Sequence, residues 1–457
     1  MSDKHFDLVI LGGGPGGTRA AFEAREAGMS VALVESGFLG GTCLNVGCIP
    51  TKYLLGATAS LPLLTVQRKY KVVKGALEYD FAALQSRKDR FIKGSRQTLE
   101  KRLAQEGITL FKGRGSFCGE RSVLAKGAGF EEKLDFGKCM VATGSVPSSF
   151  PGLKPDGKTV RSSAGLLAID FVPESLIIVG GGAIGIELGE AFHRLGTKII
   201  LAEGMPRILP GEDEDVSEAV RAYLTREGWS IHTGRRIASL STADGRSLLR
   251  FEDGEELTAA TSLVAVGRRA MTSPLAPDAG GLALAERGWL QTDATLRCAE
   301  HVYAVGDVNG RTLLAHAAEH QASYAVAHAA QKIAGNYTPP AMPSCVYGTM
   351  EVMRVGPTAA QLKAEGGHIE VSRAPLAANA IVQSYGHSQG FARMLWQDGV
   401  LRGVCAVGHG VSHLVTASAL LVAAETKKNL HPSVIFAHPT LDEVLESAML
   451  APRENIQ

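Results

Sequence analysis

The sequence predicts an α/β fold in which two doubly wound units precede a smaller α+β domain. Two observations predict the doubly wound units: a pattern of strand, glycine-rich turn, helix, strand and acidic residue occurs twice, and several other apolar runs end in glycine. A third observation, the hairpin sequence Asp398-Gly399 between two apolar strands, predicts antiparallel structure near the C-terminus. A chain of 457 residues has room for about three domains.

The first copy of the pattern has a strand, a glycine-rich turn, a helix and a second strand, over 6–11, 12–17, 18–27 and 31–35. Gly12 permits the tight turn, Gly14 lets a pyrophosphate approach the backbone, and Gly17 lets the helix pack on the strand. The N-terminus of the helix can then bind the phosphate charge. Glu35 ends the second strand, where its carboxylate can accept hydrogen bonds from ribose hydroxyls. This copy therefore predicts a dinucleotide site.

The second copy repeats the same order over 176–179, 180–185, a helix to about 195, and 198–203. Gly180, Gly182 and Gly185 occupy the three glycine positions, and Glu203 is the terminal acid. In each copy the acid falls 18 residues after the last glycine. The alternative, two glycine-rich turns without a ligand, does not account for this shared register. The second copy therefore predicts a second dinucleotide site.

Three further apolar strands end in residues that could contact a ligand, over 139–144, 263–267 and 301–307. In a doubly wound sheet, ligands bind at the carboxyl ends of the strands. The last of these strands brings Asp307 to that end, so Asp307 is a candidate to bind a ribityl or ribose hydroxyl. A plain helix-capping aspartate is the alternative interpretation.

Two cysteines, Cys43 and Cys48, follow the first copy and are separated by four residues. We expect them to form a reversible pair, because disulfides of cytosolic proteins are usually catalytic or redox-sensing. A zinc half-site is the alternative, but no second ligand pair lies nearby in the sequence. Lys52 lies one helical turn beyond Cys48 and can face the same way. The other five cysteines are predicted to be small, mostly buried hydrophobic residues: Cys118, Cys139, Cys298, Cys345 and Cys405.

Composition excludes several classes of function. The formal net charge of +1 gives no electrostatic reason to expect nucleic acid or an anionic membrane as a partner. We find no apolar run of the roughly 18 residues that a membrane span needs, and no metal site is predicted. The N-terminal residues 1–5 run directly into a strand and leave no room for a signal peptide, so we expect a cytoplasmic protein.

The pattern changes from about residue 344. Two antiparallel strands are predicted over 390–396 and 401–408, and the run around 381–382 is a candidate third strand. Two helices are predicted, over about 412–426 and 441–448. This α+β domain has no nucleotide signature of its own, which favours a role in assembly.

Together these motifs resemble the class I pyridine nucleotide–disulfide oxidoreductases, and within that family the dihydrolipoamide dehydrogenases. The resemblance covers nearly the whole chain and rests on 12–17, 43–52, 142–144, 180–187, 306–307, 314–316, and 438–440 with Glu443. It implies an α/β fold with two Rossmann-like dinucleotide-binding domains, for FAD and NAD, and a C-terminal α+β dimerisation domain. The implied division is 1–148 (FAD domain, first part), 149–270 (NAD domain), 271–342 (return to the FAD domain) and 343–457 (interface domain).

The resemblance also implies residue roles. Cys43 exchanges with the substrate dithiol, and Cys48 lies against the flavin and passes electrons to it. Lys52 pairs with Glu187 near the flavin. Further cofactor-binding residues are implied at Gly41, Thr42, Lys52, Gly115, Thr143, Gly144, Asp307, Ala315, Ile237 and Gly267.

A proton acceptor is needed to oxidise a dithiol, and an imidazole performs this role well near neutral pH. His438, oriented by Glu443, is the candidate; alone, a His-Pro sequence would be read as an ordinary loop. In the family this histidine reaches the disulfide of the neighbouring subunit, which implies a homodimer with a shared active site.

The implied reaction is the oxidation of dihydrolipoamide, including lipoyl groups of 2-oxoacid dehydrogenase or glycine cleavage complexes, with reduction of NAD. NAD is favoured over NADP because Glu203 would repel a 2′-phosphate, and no basic residue follows before Arg207. Two alternatives remain open: a related reductase of another small disulfide, such as glutathione disulfide, and a non-catalytic subunit. A mercuric reductase is disfavoured because 454–457 contain no paired cysteines.

The chain departs from the family pattern mostly in the interface domain. Phe436 stands where a histidine is usual, His413 where a glutamate is usual, and Met350 where a proline is usual. Gln321 and Ala322 stand where an acid and a glycine are customary. These departures affect the expected substrate channel and interface but none of the redox residues.

Overall fold

The computed structural model describes residues 4–75, 78–427 and 434–456. The strands in chain order are β1 (Lys4–Leu11), β2 (Val31–Glu35), β3 (Thr109–Gly119), β4 (Ser122–Gly127), β5 (Phe130–Val141), β6 (Ser145–Pro147), β7 (Val160–Ser162), β8 (Ser175–Val179), β9 (Lys198–Glu203), β10 (Ser230–Thr233), β11 (Ile237–Ala243), β12 (Arg246–Phe251), β13 (Glu256–Ala259), β14 (Thr261–Val264), β15 (Arg268–Ala270), β16 (Arg297–Ala299), β17 (Val302–Ala304), β18 (Pro343–Val346), β19 (Glu351–Val355), β20 (Ile369–Pro375), β21 (Gly390–Gln397), β22 (Val400–Gly408) and β23 (Glu454–Asn455).

The α-helices in chain order are α1 (Pro15–Glu26), α2 (Gly41–Val46), α3 (Cys48–Ala57), α4 (Ser60–Lys69), α5 (Phe81–Gln105), α6 (Ser163–Leu167), α7 (Ala183–Arg194), α8 (Glu214–Arg226), α9 (Ala315–Ala329), α10 (Ala359–Glu365), α11 (Ala380–Tyr385), α12 (Val415–Ala423) and α13 (Glu443–Leu450). Short 3₁₀ helices occur at Ser273–Leu275, Pro277–Gly280, Glu286–Gly288, Gly306–Asn309, Leu376–Ala378 and Val411–Leu414.

The chain divides into two compact units. The first unit comprises Met1–Pro50, Gln85–Ser148 and Gly267–Thr338, and the second comprises Thr51–Leu84, Ser149–Val266 and Pro339–Gln457. The breaks after Ser148, Val266 and Thr338 lie close to the boundaries expected at 148, 270 and 342. The segments expected to form the NAD and interface domains belong to one unit, and the four-part division itself stays a prediction.

The first unit contains a doubly wound sheet. Strand β1 pairs with β2 and β5, β2 pairs with β3, and β5 pairs with β17, all in parallel. Strand β4 extends β3 and β5 as an antiparallel meander, and β16 pairs antiparallel with β17. Helices α1 and α9 pack together through small side chains, among them Ala20, Ala24, Ala322 and Ala325, all fully buried. Ala322, one of the departures from the family pattern, therefore serves this helix contact.

The second unit repeats the doubly wound arrangement. Its parallel sheet has the order β10-β9-β8-β14-β7, and the central strand β8 is buried along its whole length. A three-stranded antiparallel sheet follows in the order β11-β12-β13. The strands expected over 31–35 and 198–203 match β2 and β9. The predicted α/β fold class is confirmed in both units.

The C-terminal part of the second unit forms a six-stranded antiparallel sheet, β18-β19-β22-β21-β20-β23. Strands β21 and β22 form the predicted hairpin, in which Asp398 and Gly399 both adopt positive φ, 51° and 79°, as a tight turn requires. Trp396 is fully buried in the core that packs on this sheet, and its indole N–H donates to Ser372 Oγ at 2.9 Å.

The expected strand around 381–382 is wrong, because those residues lie in helix α11. Asn379 caps this helix: its side-chain oxygen accepts from the backbone N–H groups of Ile381 and Val382 at 3.0 and 3.1 Å, a cap that favours a helix start. The helix expected over 412–426 is shorter than predicted, since a 3₁₀ turn precedes α12. The last helix, α13, begins at Glu443 rather than at 441.

The isolated cysteines are not all buried. Cys139 and Cys405 are buried, and Cys298 and Cys345 are partly buried. Cys118 is exposed, which contradicts the prediction for it, because it faces outward near the end of β3 with its thiol 3.3 Å from Ser122 Oγ. Among the described residues, no group of three or more His, Cys, Asp or Glu side chains is arranged to hold a metal ion. Nor does the described part of the chain contain a helix with the length and apolarity to cross a bilayer.

Candidate active site

The first glycine-rich turn uses its three glycines for different purposes. Gly12 has a φ of 104°, and a Cβ there would lie 2.4 Å from Ala142 O. A Cβ on Gly17 would lie 1.9 Å from Gly12 O, so helix and strand touch at that point. A Cβ on Gly14 would meet no atom closer than Gly41 Cα at 3.7 Å, within the described residues. Close backbone packing within the chain thus requires glycine at the first and third positions, whereas the second glycine leaves room for a pyrophosphate.

The second turn repeats this arrangement. Gly180 has a φ of 110°, and a Cβ there would lie 2.4 Å from Ala265 O. A Cβ on Gly185 would lie 2.1 Å from Gly180 O, while Gly182 has open space around the same position. Gly182 is also the N-cap of α7 and supplies no side-chain cap, so the first N–H groups of that helix can donate to an anion. Both turns therefore fit a bound dinucleotide.

The acidic residues that end β2 and β9 make equivalent hydrogen bonds. Glu35 accepts from the backbone N–H groups of Gly13 and Gly37, each at 2.6 Å. Glu203 accepts from those of Gly181 and Met205, each at 2.7 Å. Each carboxylate therefore holds its glycine-rich turn, and each oxygen keeps a lone pair that a ribose hydroxyl could use. Ribose binding by these acids stays a prediction.

The cysteine segment begins against the first glycine-rich turn. Gly40 and Gly41 adopt φ values of 90° and 57°, and the N–H of Gly40 donates to Gly13 O at 2.7 Å. A Cβ on Gly41 would lie 2.7 Å from Gly14 Cα, so helix α2 starts directly beside the space left for a pyrophosphate. Helix α2 carries the partly buried Cys43, together with an exposed Thr42.

Cys48, which is exposed, begins helix α3. Lys52 follows it one turn later in the same helix. The structure therefore places the two cysteines on consecutive short helices.

The sequence did not indicate a group of side-chain contacts that holds helix α2 in place. The Asn45 side chain donates to Leu39 O at 3.0 Å and to Gly41 O at 2.8 Å, and it accepts from Arg96 Nε. The Arg96 guanidinium lies 3.9 Å from the ring centroid of Phe38, a favourable cation–π distance. Arg96 lies on α5, and its pairing with Asn45 has no local sequence signal.

Asp307 lies in the 3₁₀ turn Gly306–Asn309 that follows β17. Its carboxylate accepts from the Ser145 hydroxyl at 2.5 Å and lies 3.6 Å from Arg268 Nε. Val305, not Asp307, is the N-cap of this turn, so the helix-capping alternative is wrong. Burial lowers the pKa of the Arg268 guanidinium, and the charges of Asp307 and Cys48 oppose that effect. Arg268, which sequence reasoning missed, thus lies near both groups.

The other expected cofactor residues of the first unit lie in several of its strands, loops and helices. Thr143 donates its hydroxyl to Met271 O at 2.9 Å, and Gly144 and Gly267 adopt φ values of 71° and 108°. Ala315 is the first residue of α9. Gly115 lies inside β3, where a Cβ would come within 2.6 Å of the Leu11 side chain.

Ile237 starts β11 in the second unit and packs, partly buried, against an apolar core. Cofactor contacts of Ile237 and of these first-unit residues stay a prediction.

Lys52 and Glu187 form the ion pair that the resemblance implies. Lys52 Nζ lies 2.6 Å from Glu187 Oε2, and the other oxygen of Glu187 accepts from the Tyr347 N–H at 3.2 Å. Lys52 Nζ also lies 4.5 Å from the Tyr347 ring centroid. Burial raises the pKa of the Glu187 carboxyl, and the Lys52 charge opposes that rise. The pair therefore places a buried carboxyl group in direct contact with a cation.

Removing one partner of this pair is expected to destabilise the protein. Lys52→Met leaves the buried Glu187 carboxylate without its cation, which should cost about 1–3 kcal/mol, less than for a fully buried pair because Lys52 is partly exposed. Thermal unfolding of the purified protein should show the loss. The double variant Lys52→Met/Glu187→Gln should recover part of it, and additive losses would show that the two side chains do not interact.

His438 and Glu443 are also brought together. His438 Nδ1 lies 2.8 Å from Glu443 Oε1, and Glu443 Oε2 accepts from the Thr440 N–H at 2.9 Å. The hydrogen bond from His438 lowers the pKa of the Glu443 carboxyl, with help from Thr440. The His438 side chain is 76% exposed. A carboxylate that accepts a hydrogen bond from Nδ1–H leaves Nε2 as the basic nitrogen of the imidazole.

The residues that depart from the family pattern differ in their surroundings. Gln321 is buried and accepts from Gly306 N and Asn309 Nδ2, each at 2.8 Å. Met350 is buried, and Phe436 packs against the core of the C-terminal sheet. His413 is exposed in the 3₁₀ turn Val411–Leu414.

Comparison with known proteins agrees with this geometry. Residues 6–322 match the model of the family described as pyridine nucleotide-disulphide oxidoreductase, and residues 342–449 match the dimerisation domain of the same family. The chain belongs to this family.

Its curated relatives include dihydrolipoyl dehydrogenases. That of Chlorobaculum parvum is 33% identical over 98% of this chain and 97% of its own length, and that of Trypanosoma brucei brucei is 33% identical over 98% and 96%. The crystal structure of LpdA from Mycobacterium tuberculosis superposes with a TM-score of 0.90 at 24% identity, over 98% of this chain and 99% of that one. The HOCl-induced flavoprotein disulfide reductase RclA from Escherichia coli superposes with a TM-score of 0.85 at 25% identity, over 97% and 99%.

The chain is therefore an FAD-dependent disulfide oxidoreductase that uses FAD and NAD. The predicted family, enzyme class and cofactors are confirmed. The substrate, the roles of individual residues and the arrangement of the subunits stay predictions.

Proposed function

We propose that this enzyme oxidises dihydrolipoamide to lipoamide and reduces NAD, using Cys43 and Cys48 as a redox pair. The main support is the start of helix α2, which carries Cys43 and touches the first glycine-rich turn at Gly14. A dithiol held next to a dinucleotide cradle can exchange electrons with the cofactor bound there. The names of the full-length relatives support the choice of substrate.

The thiol chemistry belongs to the protein. A thiolate of the substrate attacks Cys43 and breaks the Cys43–Cys48 bond, which gives a mixed disulfide and releases Cys48 as a thiolate. The second thiolate of the substrate then attacks the substrate sulfur that is bonded to Cys43, which closes the cyclic disulfide and releases Cys43 as a thiolate. Two electrons have passed to the enzyme, the substrate has become a cyclic disulfide, and two protons have been given up.

His438 accepts a proton from the substrate dithiol in this scheme. Glu443 holds the Nδ1 side of the imidazole at 2.8 Å, so the opposite nitrogen can act as the base. The side chain of His438 is exposed in the single chain. We propose that it acts on the cysteine pair of a second subunit, as the match of residues 342–449 to a dimerisation domain supports. The dimer then has a shared active site.

FAD would be held at the first glycine-rich turn, by Gly14, the N-terminus of α1, Glu35 and Asp307; when bound, it supplies a two-electron carrier between the dithiol and NAD. NAD would be held at the second turn, by Gly182, the N-terminus of α7 and Glu203. The Lys52–Glu187 pair would place one cation beside the cysteine helix without adding net charge. Lipoyl-bearing protein domains are the proposed partners, and the cytoplasm is the proposed compartment.

A comparison of substrates tests the proposal. The purified enzyme should reduce NAD when given dihydrolipoamide, and it should oxidise NADH with lipoamide in the reverse direction. Glutathione disulfide and coenzyme A disulfide, with NADH and with NADPH, are the matched alternatives. Turnover confined to glutathione disulfide would reject the lipoamide assignment, and bound FAD with no turnover of any disulfide would favour a non-catalytic subunit.

Replacing the second acid tests the NAD assignment. Glu203→Arg should lower the ratio of kcat/KM for NAD to that for NADP by about tenfold or more, since a repulsive charge becomes an attractive one. Glu203→Gln separates charge from geometry, because the amide oxygen can still accept from Gly181 N. Glu252→Arg, an exposed change in the same unit, is the control. An unchanged ratio in Glu203→Arg would show that this position does not contact the ribose.

A further inference from the structure

One buried side chain on α9 holds the turn that carries Asp307. Gln321 is 2% exposed, and its side-chain oxygen accepts two hydrogen bonds. One comes from the backbone N–H of Gly306 and the other from Asn309 Nδ2, both at 2.8 Å. These two donors flank Asp307 in the chain. A single oxygen thus ties both ends of the 3₁₀ turn Gly306–Asn309 to the helix.

The turn is also fixed to the sheet and packed tightly on α9. Asn309 Nδ2 donates to Ala304 O, at the end of β17, at 3.0 Å. Gly306 has a φ of 73°, and a Cβ there would lie 2.9 Å from Ala318 Cβ. Because these contacts are buried, the turn has little freedom to move without leaving polar groups unpaired.

The Asp307 carboxylate interacts with groups other than those that hold its backbone. It accepts from Ser145 Oγ at 2.5 Å and lies 3.6 Å from Arg268 Nε. Ser145 and Arg268 thus contact the carboxylate itself, whereas Gln321 acts on it through the backbone of the turn. The amide also accepts these bonds without burying a charge, whereas an acid at this position would bury one if ionised.

We propose that Gln321 is a positioning residue for FAD: its buried oxygen fixes the Gly306–Asn309 turn so that Asp307 meets a hydroxyl group of the cofactor. The inference rests on the FAD-binding role proposed for Asp307. It assigns a function to a position where the chain departs from the family pattern. A glutamate can offer the same acceptor, while a leucine of similar size cannot.

The rate of FAD release from the holoenzyme tests this proposal without reference to turnover. After dilution, free FAD is followed by its fluorescence. Gln321→Leu should speed release by about tenfold, since two buried donors lose their acceptor. Gln321→Glu should stay within about threefold of wild type because it keeps an acceptor oxygen. Gln85→Leu removes another buried glutamine of the same unit and should leave release unchanged.

Combination with Asp307→Asn separates positioning from general stability. If Gln321 acts through Asp307, Gln321→Leu should add little to the faster release already caused by Asp307→Asn. Additive effects of the two substitutions on the rate of FAD release would overturn the proposal. A rate for Gln321→Leu equal to that of wild type would also overturn it. Asn309→Ala removes the side-chain donor that binds the Gln321 oxygen. It provides the same test if the leucine variant does not fold. Wild-type protein that holds FAD but does not turn over dihydrolipoamide would reject the proposed substrate and leave this test intact.

Discussion

Cys48→Ser should abolish the oxidation of dihydrolipoamide, with a loss of about 10³-fold or more in kcat, while FAD stays bound. Removing either sulfur removes the disulfide that accepts the first electron pair, so Cys43→Ser should be equally inactive. The two variants differ in their spectra. Cys43→Ser should retain the long-wavelength absorbance of a thiolate next to flavin, because the proposed flavin-side sulfur, Cys48, is still present. Cys48→Ser should lack that absorbance.

Cys118→Ser is the matched control for these variants. Cys118 is an exposed cysteine of the same unit and lies away from both glycine-rich turns in the chain. We expect wild-type turnover and spectra from it. If the two active-site variants showed the opposite spectra, the proposed roles of Cys43 and Cys48 would have to be exchanged. Substantial turnover in both would remove the cysteine pair from the mechanism.

His438→Gln should lower the rate of dithiol oxidation by about 10²-fold, the scale expected for loss of a general base. FAD content should not change. Glu443→Gln should cause a smaller loss, because the imidazole remains but its tautomer is no longer fixed. His368→Gln changes an exposed histidine in the same unit and is the control. Steady-state rates with dihydrolipoamide and NAD across pH provide the measurement.

The pH dependence of the His438–Glu443 pair follows from the direction of the pKa shift. The pKa of Glu443 is lowered in the folded chain from its ordinary value of 4.5. The stabilisation it provides is therefore complete above that ordinary value and is lost as the pH falls through the lowered pKa. The carboxylate therefore remains ionised near neutrality, and its stabilisation should be lost only in acid, below the ordinary value of 4.5. Thermal unfolding measured across pH should show this acid loss in wild type and not in Glu443→Gln.

Mixing the two inactive variants tests the shared site. A dimer of one Cys48→Ser subunit and one His438→Gln subunit contains one active site with both an intact cysteine pair and an intact histidine. If subunits exchange at random, the mixture should recover about a quarter of wild-type activity. A mixture that exchanges subunits yet stays inactive would show that His438 serves the cysteines of its own chain.

Local sequence patterns predicted the parts of the fold that local forces determine. The strand limits at 31–35 and 198–203 and the Asp398-Gly399 hairpin were predicted because alternation of turns and apolar runs is encoded within a few residues. Helix α11 was mistaken for a strand because the run at 381–382 is apolar, and the cap at Asn379 was overlooked. Four strands of the C-terminal sheet were not predicted. Three of them, β19, β20 and β23, have a pairing partner distant in the chain, whereas β18 pairs with the nearby β19.

The same limit applies to the candidate site. Lys52 and Glu187 were predicted to pair from the family resemblance, not from their spacing, since 135 residues separate them. Arg268 next to Asp307, and Arg96 next to Asn45, were missed altogether. Each of these contacts joins residues far apart in sequence. Side chains of this kind are revealed only by the packed structure.

An anaerobic titration of the purified enzyme with NADH tests the central claim most directly. A protomer with one flavin and one redox disulfide should take up four electrons, from about two equivalents of NADH, and should then expose two additional titratable thiols. Cys43→Ser/Cys48→Ser should take up only the electrons of the flavin. Wild-type protein that stops at two electrons, or that gains no thiols on reduction, would contradict a redox pair formed by Cys43 and Cys48.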